Sequence, residues 1–331
     1  MRSLRAAGRG AWRGTVVFLK LLAIVGPVYT LVTVLRYTPA IKAFADATAP
    51  FMKYFGLPGE AALALILGNV VNLYAGLGAI TALRLPVNQL TVLGLMLLIS
   101  HSQILESAVF YQIRAKWWLF WFIRLVVSLA CGAGLSRLLV PGFAQGVVNA
   151  EAAARLARMA RMPYVGFWPA AKGWALGLAD TGSKMLAVLV VIFLLLELAR
   201  EYGLLEKILA GVNRATRYIG LRREAGMPWL AGNVFGIIFG AGVITDSVHQ
   251  GQLSSKQVNL VATFLSLNHA VFEDTAIFLV LGANVLWITL PRIVMAVAVT
   301  WALSRILKEK GPRGQGVEDS SEDSTTGERR T

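Results

Sequence analysis

The sequence predicts an all-α polytopic membrane protein made of two internal repeats, the second inverted relative to the first. Three observations predict it. The chain of 331 residues is 56% hydrophobic and only 15% charged, with a mean hydropathy of +0.62, far more apolar than an ordinary soluble domain. Several apolar windows reach the roughly 20 residues a helix needs to cross a bilayer, and they leave no block for a substantial soluble domain. Rare polar residues also recur in order: Gly68-Asn69 returns as Gly232-Asn233, 164 residues on, while His101 and Arg124 return as His269 and Arg292, 168 residues on. Chance similarity between apolar segments does not align rare polar residues.

Taken in order, residues 1–14 form a basic cytoplasmic N-terminus with Arg2, Arg5, Arg9 and Arg13, and 15–140 form the first repeat. Thr15 to Leu35 is the first span; it is too long for a signal-peptide core and no clear small-residue cleavage site follows it, so it reads as an anchor. Pro27 kinks it, because proline lacks an amide proton and crowds the preceding turn. Pro39 to Phe55 carries Lys42, Asp46 and Lys53 and is too polar to cross, which suits an amphipathic helix in the interface. Phe55 to Pro86 opens on a Gly-Leu-Pro-Gly turn and holds Gly68, Asn69, Asn72, Gly76 and Gly78 in an apolar background. It is either a short span or a re-entrant hairpin, since unpaired backbone at membrane depth survives where protein or a wet cavity surrounds it. Leu90 to Tyr111 is a span with a polar centre, and Trp117 to Val140 is another, opened by an aromatic belt of Trp117, Trp118 and Trp121.

Residues 141–182 form an amphipathic connector in which Arg155, Arg158 and Arg161 share one helical face suited to a membrane surface. Residues 183–308 repeat the unit. Ile219 to Glu224, IGLRRE, answers FGLPGE, and the glycine-rich Gly232 to Asp246 answers the segment after Gly68. Its Gly236 and Gly240 read as a close-packing GxxxG pair. Residues 309–331 are small, polar and acidic, with too little apolar surface to fold.

Charge sets the orientation. If the hairpin stretches re-enter, each repeat has three crossings and the second is inverted; the base-rich stretches Arg114–Lys116, Arg200–Arg223 and Lys308–Arg313 then all lie inside, with both termini cytoplasmic. If they span, the repeats are parallel and Arg200–Arg223 lies outside. The positive-inside bias favours six crossings over eight, although Arg155–Arg161 then falls outside. The same bias explains the excess of 32 Lys+Arg over 18 Asp+Glu without nucleic acid. The expected setting is a bacterial inner membrane. The single cysteine, Cys131, excludes an intramolecular disulfide and a cysteine zinc site. GLADTGSK at Gly177–Lys184 lacks the Gly-Lys-Ser/Thr order of a phosphate loop, and no nucleophile with its base stands out. No enzyme and no cofactor are expected.

An amphipathic helix, a GLPG-type turn, a Gly-Asn glycine-rich segment and a polar-centred helix, present twice, resemble the nucleoside recognition or Gate domain family. That family includes spore maturation membrane proteins and the gate segments of the bacterial ferrous-iron transporter. The resemblance covers about Thr15–Val140 and Met185–Leu307, and departs at Arg222-Arg223, which stand where the first copy has Pro58-Gly59. It implies a membrane protein related to solute recognition without naming the solute, and no GTPase domain accompanies it.

The candidate chemistry lies in LLISHSQILESAVF, Leu97–Phe110, and in its echo FLSLNHAVFEDTAIF, Phe264–Phe278. Ionisable groups in mid-span are costly in lipid and line an interior by default. His101 and His269 face one another across a cavity, or each is hydrogen-bonded inside the bundle. Glu106 and Asp274 lie five residues beyond their histidines, about 140° round a regular helix, so each shares a face with its histidine only where the helix is broken. Arg124 and Arg292 are their expected ion-pair partners and a candidate gate. Glu273, four beyond His269, makes His269–Glu273 a weak candidate metal pair. Ser100, Asn268, Asn69 and Asn233 complete the expected substrate-binding set, with capping of helix ends as the other reading of the last two. Two functions fit: transport of a small polar solute between the repeats, or a membrane scaffold or gate module that acts with a partner protein or a second copy.

Overall fold

Thirteen α-helices and no strand occur among the residues that the structure, a computed structural model, describes: 2–35, 37–140, 166–204, 207, 211 and 216–308. In chain order they are α1 (Arg2–Leu35), α2 (Pro39–Met52), α3 (Ala61–Val70), α4 (Leu73–Leu83), α5 (Val87–Ser100), α6 (Gln103–Gln112), α7 (Trp117–Leu139), α8 (Phe167–Glu201), α9 (Gly226–Phe235), α10 (Ile237–His249), α11 (Ser255–Leu267), α12 (Val271–Val280) and α13 (Val285–Ile306). The all-α polytopic class is what the sequence predicts.

Helix α1 begins well before the apolar run, so Arg5, Arg9 and Arg13 sit on the same helix as the span. Its 34 residues extend about 51 Å at 1.5 Å per residue, which exceeds the roughly 30 Å hydrocarbon layer. It packs antiparallel along α8: Gly10 lies against Leu194, Gly14 against Val190, Phe18 against Gly182 and Tyr29 against Gly177. A Cβ on Gly14 would stand 2.7 Å from the Val190 Cα, so small residues set this close approach. At the end of the pair Arg9 and Arg13 bind Glu197, and Arg9 also binds Glu201. The connector expected over 141–182 is already helical from Phe167. Its basic face of Arg155, Arg158 and Arg161 lies outside the described residues, as do the tail 309–331 and most of 205–215.

Helix α2 opens with Pro39 in its first turn and buries only Ala45 and Met52, while Lys42 and Asp46 pair on its exposed face. A short 3₁₀ turn then leads to Gly56 at φ 60°, and the equivalent turn in the second half leads to Gly220 at φ 86°. Both glycines admit a left-handed turn that redirects the chain into a helical pair.

Those pairs, α3/α4 and α9/α10, are hairpins. Their arms have 10 and 11 residues, then 10 and 13, so each is about 15–20 Å long and none crosses the hydrocarbon layer. The chain reverses between the arms: a Cβ on Gly76 would sit 3.1 Å from the Gly68 Cα, and one on Gly240 would sit 2.8 Å from the Gly232 Cα. Residues eight apart on one continuous helix would be about 12 Å apart. The hairpin therefore forms in both halves, although Arg222-Arg223 replace Pro58-Gly59. Gly236 and Gly240 do not form one packing stripe, as GxxxG suggested. Gly236, at φ 88°, is the link between the arms, and Gly240 alone packs, against Gly232.

Five segments are long and apolar enough to cross a membrane: Ser3–Leu35, Val87–Gln112, Trp117–Leu139, Phe167–Glu201 and Val285–Ile306. The second of these is α5 and α6 in line with an interruption, and α11 with α12 is its counterpart. Trp117, Trp118 and Trp121 are exposed at the start of α7, where an aromatic belt would meet the interface. The two halves interlock, α5 packing on α7 and α13, and α11 on α13 and α7. Single contacts are exchanged between them: the Lys116 amide donates to Asn259 Oδ1 at 3.0 Å, and the Asn284 amide to Thr91 Oγ1 at 3.0 Å. Each residue of the second contact stands 168 positions from its equivalent in the first. The two contacts are thus reciprocal.

Candidate functional site

Two helix breaks make the site. α5 ends at Ser100, His101 leaves the helix with ψ 164°, and Ser102 takes a left-handed conformation at φ 54° before α6 begins. In the second half α11 ends at Leu267, and Ala270 takes φ 45° before α12. A non-glycine residue at positive φ costs roughly 1–2 kcal/mol, and neither break contains glycine or proline. The surroundings impose them. The Ser102 amide donates to the Gly68 carbonyl at 2.8 Å and the Ala270 amide to the Gly232 carbonyl at 3.2 Å, so the hairpin glycines cap the breaks. The carbonyls freed at the breaks meet the arginines: Arg124 donates to Ile99 and His101 carbonyls at 2.9 and 2.6 Å, and Arg292 to the His269 carbonyl at 3.0 Å. Broken backbone at this depth persists only when its polar groups are satisfied by neighbours in this way.

The breaks turn the two histidines toward each other. Their ring centroids are 5.1 Å apart and both side chains are buried. In each ring Nδ1 faces the carbonyl four residues back, Leu97 at 2.9 Å and Leu265 at 2.7 Å. A carbonyl only accepts, so Nδ1 carries the proton and a neutral ring offers Nε2 as an acceptor. Both Nε2 atoms lie 3.5 Å from Glu106 Oε1. Arg124 grips Glu106 through Nη1 at 2.8 Å and Nη2 at 3.1 Å. Arg124 and Arg292 are both fully buried.

The second half does not copy this pairing. No ion pair joins Asp274 to Arg292 among the described residues, which corrects half of the expected pair of gates. The aspartate is one methylene shorter than Glu106, while Arg292 stays on the His269 carbonyl. Asp274 Oδ2 and the Nε and Nη1 of Arg292 are buried without a hydrogen-bond partner. The His269–Glu273 metal pair is also corrected. Because the helix is interrupted at Asn268–Ala270, the four-residue spacing no longer describes one face, and Glu273 Oε1 instead accepts from the Tyr74 hydroxyl at 3.0 Å. Asp274 takes its place: ligand atoms of His101, His269 and Asp274 all lie within 4.8 Å of one another.

The remaining expected residues divide. Asn268 is buried at the second break and its amide reaches Asn233 Oδ1 at 3.4 Å. Asn69 and Asn233 cap no helix end; each donates to the carbonyl four residues back, Leu65 and Trp229. The cap in the first hairpin is Asn72, which accepts from the Ala75 amide at 2.9 Å. Ser100 is buried but bonds back to Met96 of its own helix. The structure adds Gln103, whose amide is buried beside the first break with neither atom hydrogen-bonded, and Tyr74, which ties the first hairpin to α12. Gln103 was visible in the sequence as one more polar group in the centre of a span. Tyr74 gave no such signal.

The sequence pattern of the Gate family, described as nucleoside recognition, matches residues 18–116. The chain is also 31% identical over 299 residues to a protein of Bacillus subtilis (strain 168) described as the uncharacterized membrane protein YvoD, an alignment covering 89% of this chain and 93% of that one. No solved structure matches.

Proposed function

The chain belongs to the nucleoside recognition (Gate) family of membrane proteins, and from that premise we infer that it is a carrier moving a small polar solute across the bacterial inner membrane. One observation carries the reading. The two breaks place imidazole, carboxylate, guanidinium and carboxamide groups in the middle of the bundle and leave Gln103, Asn268, Asp274 and Arg292 with buried polar atoms that have no hydrogen-bond partner. Buried polar groups in a membrane protein are satisfied or functional. These four offer both acceptors and donors, which suits a solute bearing both.

The architecture supports the same reading. Discontinuous helices meeting at a site between inverted halves are a recurrent transporter design, in which one half rocks against the other. The antiparallel packing of α1 on its counterpart α8 and the reciprocal contacts of Lys116 and Asn284 are what inversion requires. In this arrangement residues 15–140 and 183–308 are the two halves, and both termini face the cytoplasm.

Uptake or counterflow of nucleosides and other small polar solutes into proteoliposomes tests the proposal. Transport by the full chain that is lost in a correctly folded His101→Ala/His269→Ala variant is the expected result. Undiminished transport in that variant would remove the site, and absence of transport for every solute class would favour a gate module working with a partner protein.

A further inference from the structure

The pair of imidazoles presents an unusual electrostatic problem. With Nδ1 of each ring donating to a backbone carbonyl, both Nε2 lone pairs point to the same carboxylate oxygen of Glu106, 3.5 Å from each. Three acceptor atoms thus converge; Arg124 Nη2 donates to Glu106 Oε1 from one side at 3.1 Å, no donor stands on either Nε2 among the described residues, and Asp274, whose Oδ2 has no hydrogen-bond partner, belongs to the same cluster. Acceptors that face each other in a dry interior repel unless something positive stands among them.

We propose that His101 Nε2, His269 Nε2 and the Asp274 carboxylate bind a divalent first-row transition-metal ion, with Glu106 as the facing carboxylate. The proposal rests on the carrier site described above and names the chemistry of what enters it. Three features carry it. Ligand atoms of the triad lie within 4.8 Å of one another, and all three side chains are buried. Donor atoms around a tetrahedral ion with bonds of roughly 2.0–2.1 Å are about 3.3–3.5 Å apart, the separation that Glu106 Oε1 already has from each imidazole. Each ring is held by its other nitrogen on a backbone carbonyl, which is how metal-binding histidines are oriented.

The donor set selects the ion. Two imidazoles and carboxylate oxygen suit Zn²⁺, Co²⁺ or Ni²⁺, whereas Mg²⁺ and Ca²⁺ take oxygen alone. The two arginines set its strength. Arg124 and Arg292 offset Glu106 and Asp274, so the bound ion adds charge that the site does not neutralise, and two buried nitrogens of Arg292, Nε and Nη1, have no hydrogen-bond partner. A site of this kind holds its ion loosely, as a site that must release a cargo does. Replacing Arg292 by a neutral residue should therefore tighten it.

Titration of Co²⁺ into the purified, detergent-solubilised full chain, read by visible absorption and by Zn²⁺ competition, decides the matter. The wild type is expected to bind one Co²⁺ per chain with d–d bands of nitrogen and oxygen ligation. His101→Ala, His269→Ala and Asp274→Asn should each weaken binding by about 10-fold or more. His249→Ala, which removes an exposed histidine, should leave it unchanged, and Arg292→Gln should strengthen it, a gain that misfolding cannot imitate. Absence of any Co²⁺ spectrum in the wild type, or wild-type affinity in the three ligand variants, overturns the proposal. Solute uptake that needs the two histidines, without Co²⁺ binding, would leave the carrier and remove the metal; Co²⁺ binding without uptake would do the reverse.

Discussion

Glu106 belongs to the first half of the chain, yet its Oε1 lies 3.5 Å from Nε2 of His269 in the second, the same distance as from Nε2 of His101. One carboxylate therefore couples the two halves, and Arg124 fixes where it stands.

Arg124→Met strands Glu106 as an unpaired buried charge and removes the donors to the Ile99 and His101 carbonyls. Loss of one partner of a buried pair costs about 3–5 kcal/mol, to be measured as unfolding free energy in mixed micelles. Arg124→Lys should not restore it, because one ammonium does not reach the two carbonyls and the carboxylate together.

Arg292→Met should cost less than Arg124→Met. Arg292 serves the His269 carbonyl, while its Nε and Nη1 have no hydrogen-bond partner, so its removal abolishes fewer contacts and relieves an unsatisfied charge. Side-by-side unfolding of the two variants checks the asymmetry. Equal losses would mean that Arg292 holds Asp274 as firmly as Arg124 holds Glu106.

Tyr74→Phe deletes the hydroxyl that Glu273 accepts from across 199 residues of chain. Hydrogen bonds to charged groups contribute roughly 1.5–3 kcal/mol, and both residues here are half-buried, so the lower part of that range is expected. A double-mutant cycle with Glu273→Gln should return a coupling of the same order.

Gly240→Val introduces a side chain whose Cβ stands 2.8 Å from the Gly232 backbone, where no rotamer gives relief. The α9/α10 hairpin should open, and with it the cap that Gly232 supplies to the Ala270 amide. Loss of folded protein in fluorescence size-exclusion profiles is the expected readout. Gly242→Ala, with nothing within 4 Å of its Cβ, is the control.

Ala270→Gly relieves a left-handed backbone at φ 45°. The strain released, roughly 1–2 kcal/mol, exceeds the roughly 0.4–1 kcal/mol by which glycine loosens the unfolded chain. The variant should be as stable as the wild type or slightly more so, by thermal unfolding, whereas Ala270→Val should be less stable.

The membrane class and the recurring polar centres were legible in the sequence, because residues that are expensive in lipid stand out from an apolar background; the meeting of His101 with His269 was one of two readings it left open. The need for a broken helix was legible too: five residues from histidine to carboxylate do not share a face on a regular helix. What misled was local spacing taken without the break. It made Glu273 the partner of His269, when the interruption hands that position to Asp274 and sends Glu273 to Tyr74. It also made Gly236 a packing residue, when its positive φ makes it a turn.

By itself, then, the sequence determined which residues had to be turned away from lipid and that they come in two sets, since burial cost and a fixed offset are properties of the chain. Only the tertiary structure decided who meets whom. Glu106 has the length to bridge both imidazoles while held by Arg124, Asp274 does not reach Arg292, and the hairpin glycines lie close enough to cap the breaks. Those outcomes depend on side-chain reach and on the packing of helices from opposite halves, which no periodicity within one helix records.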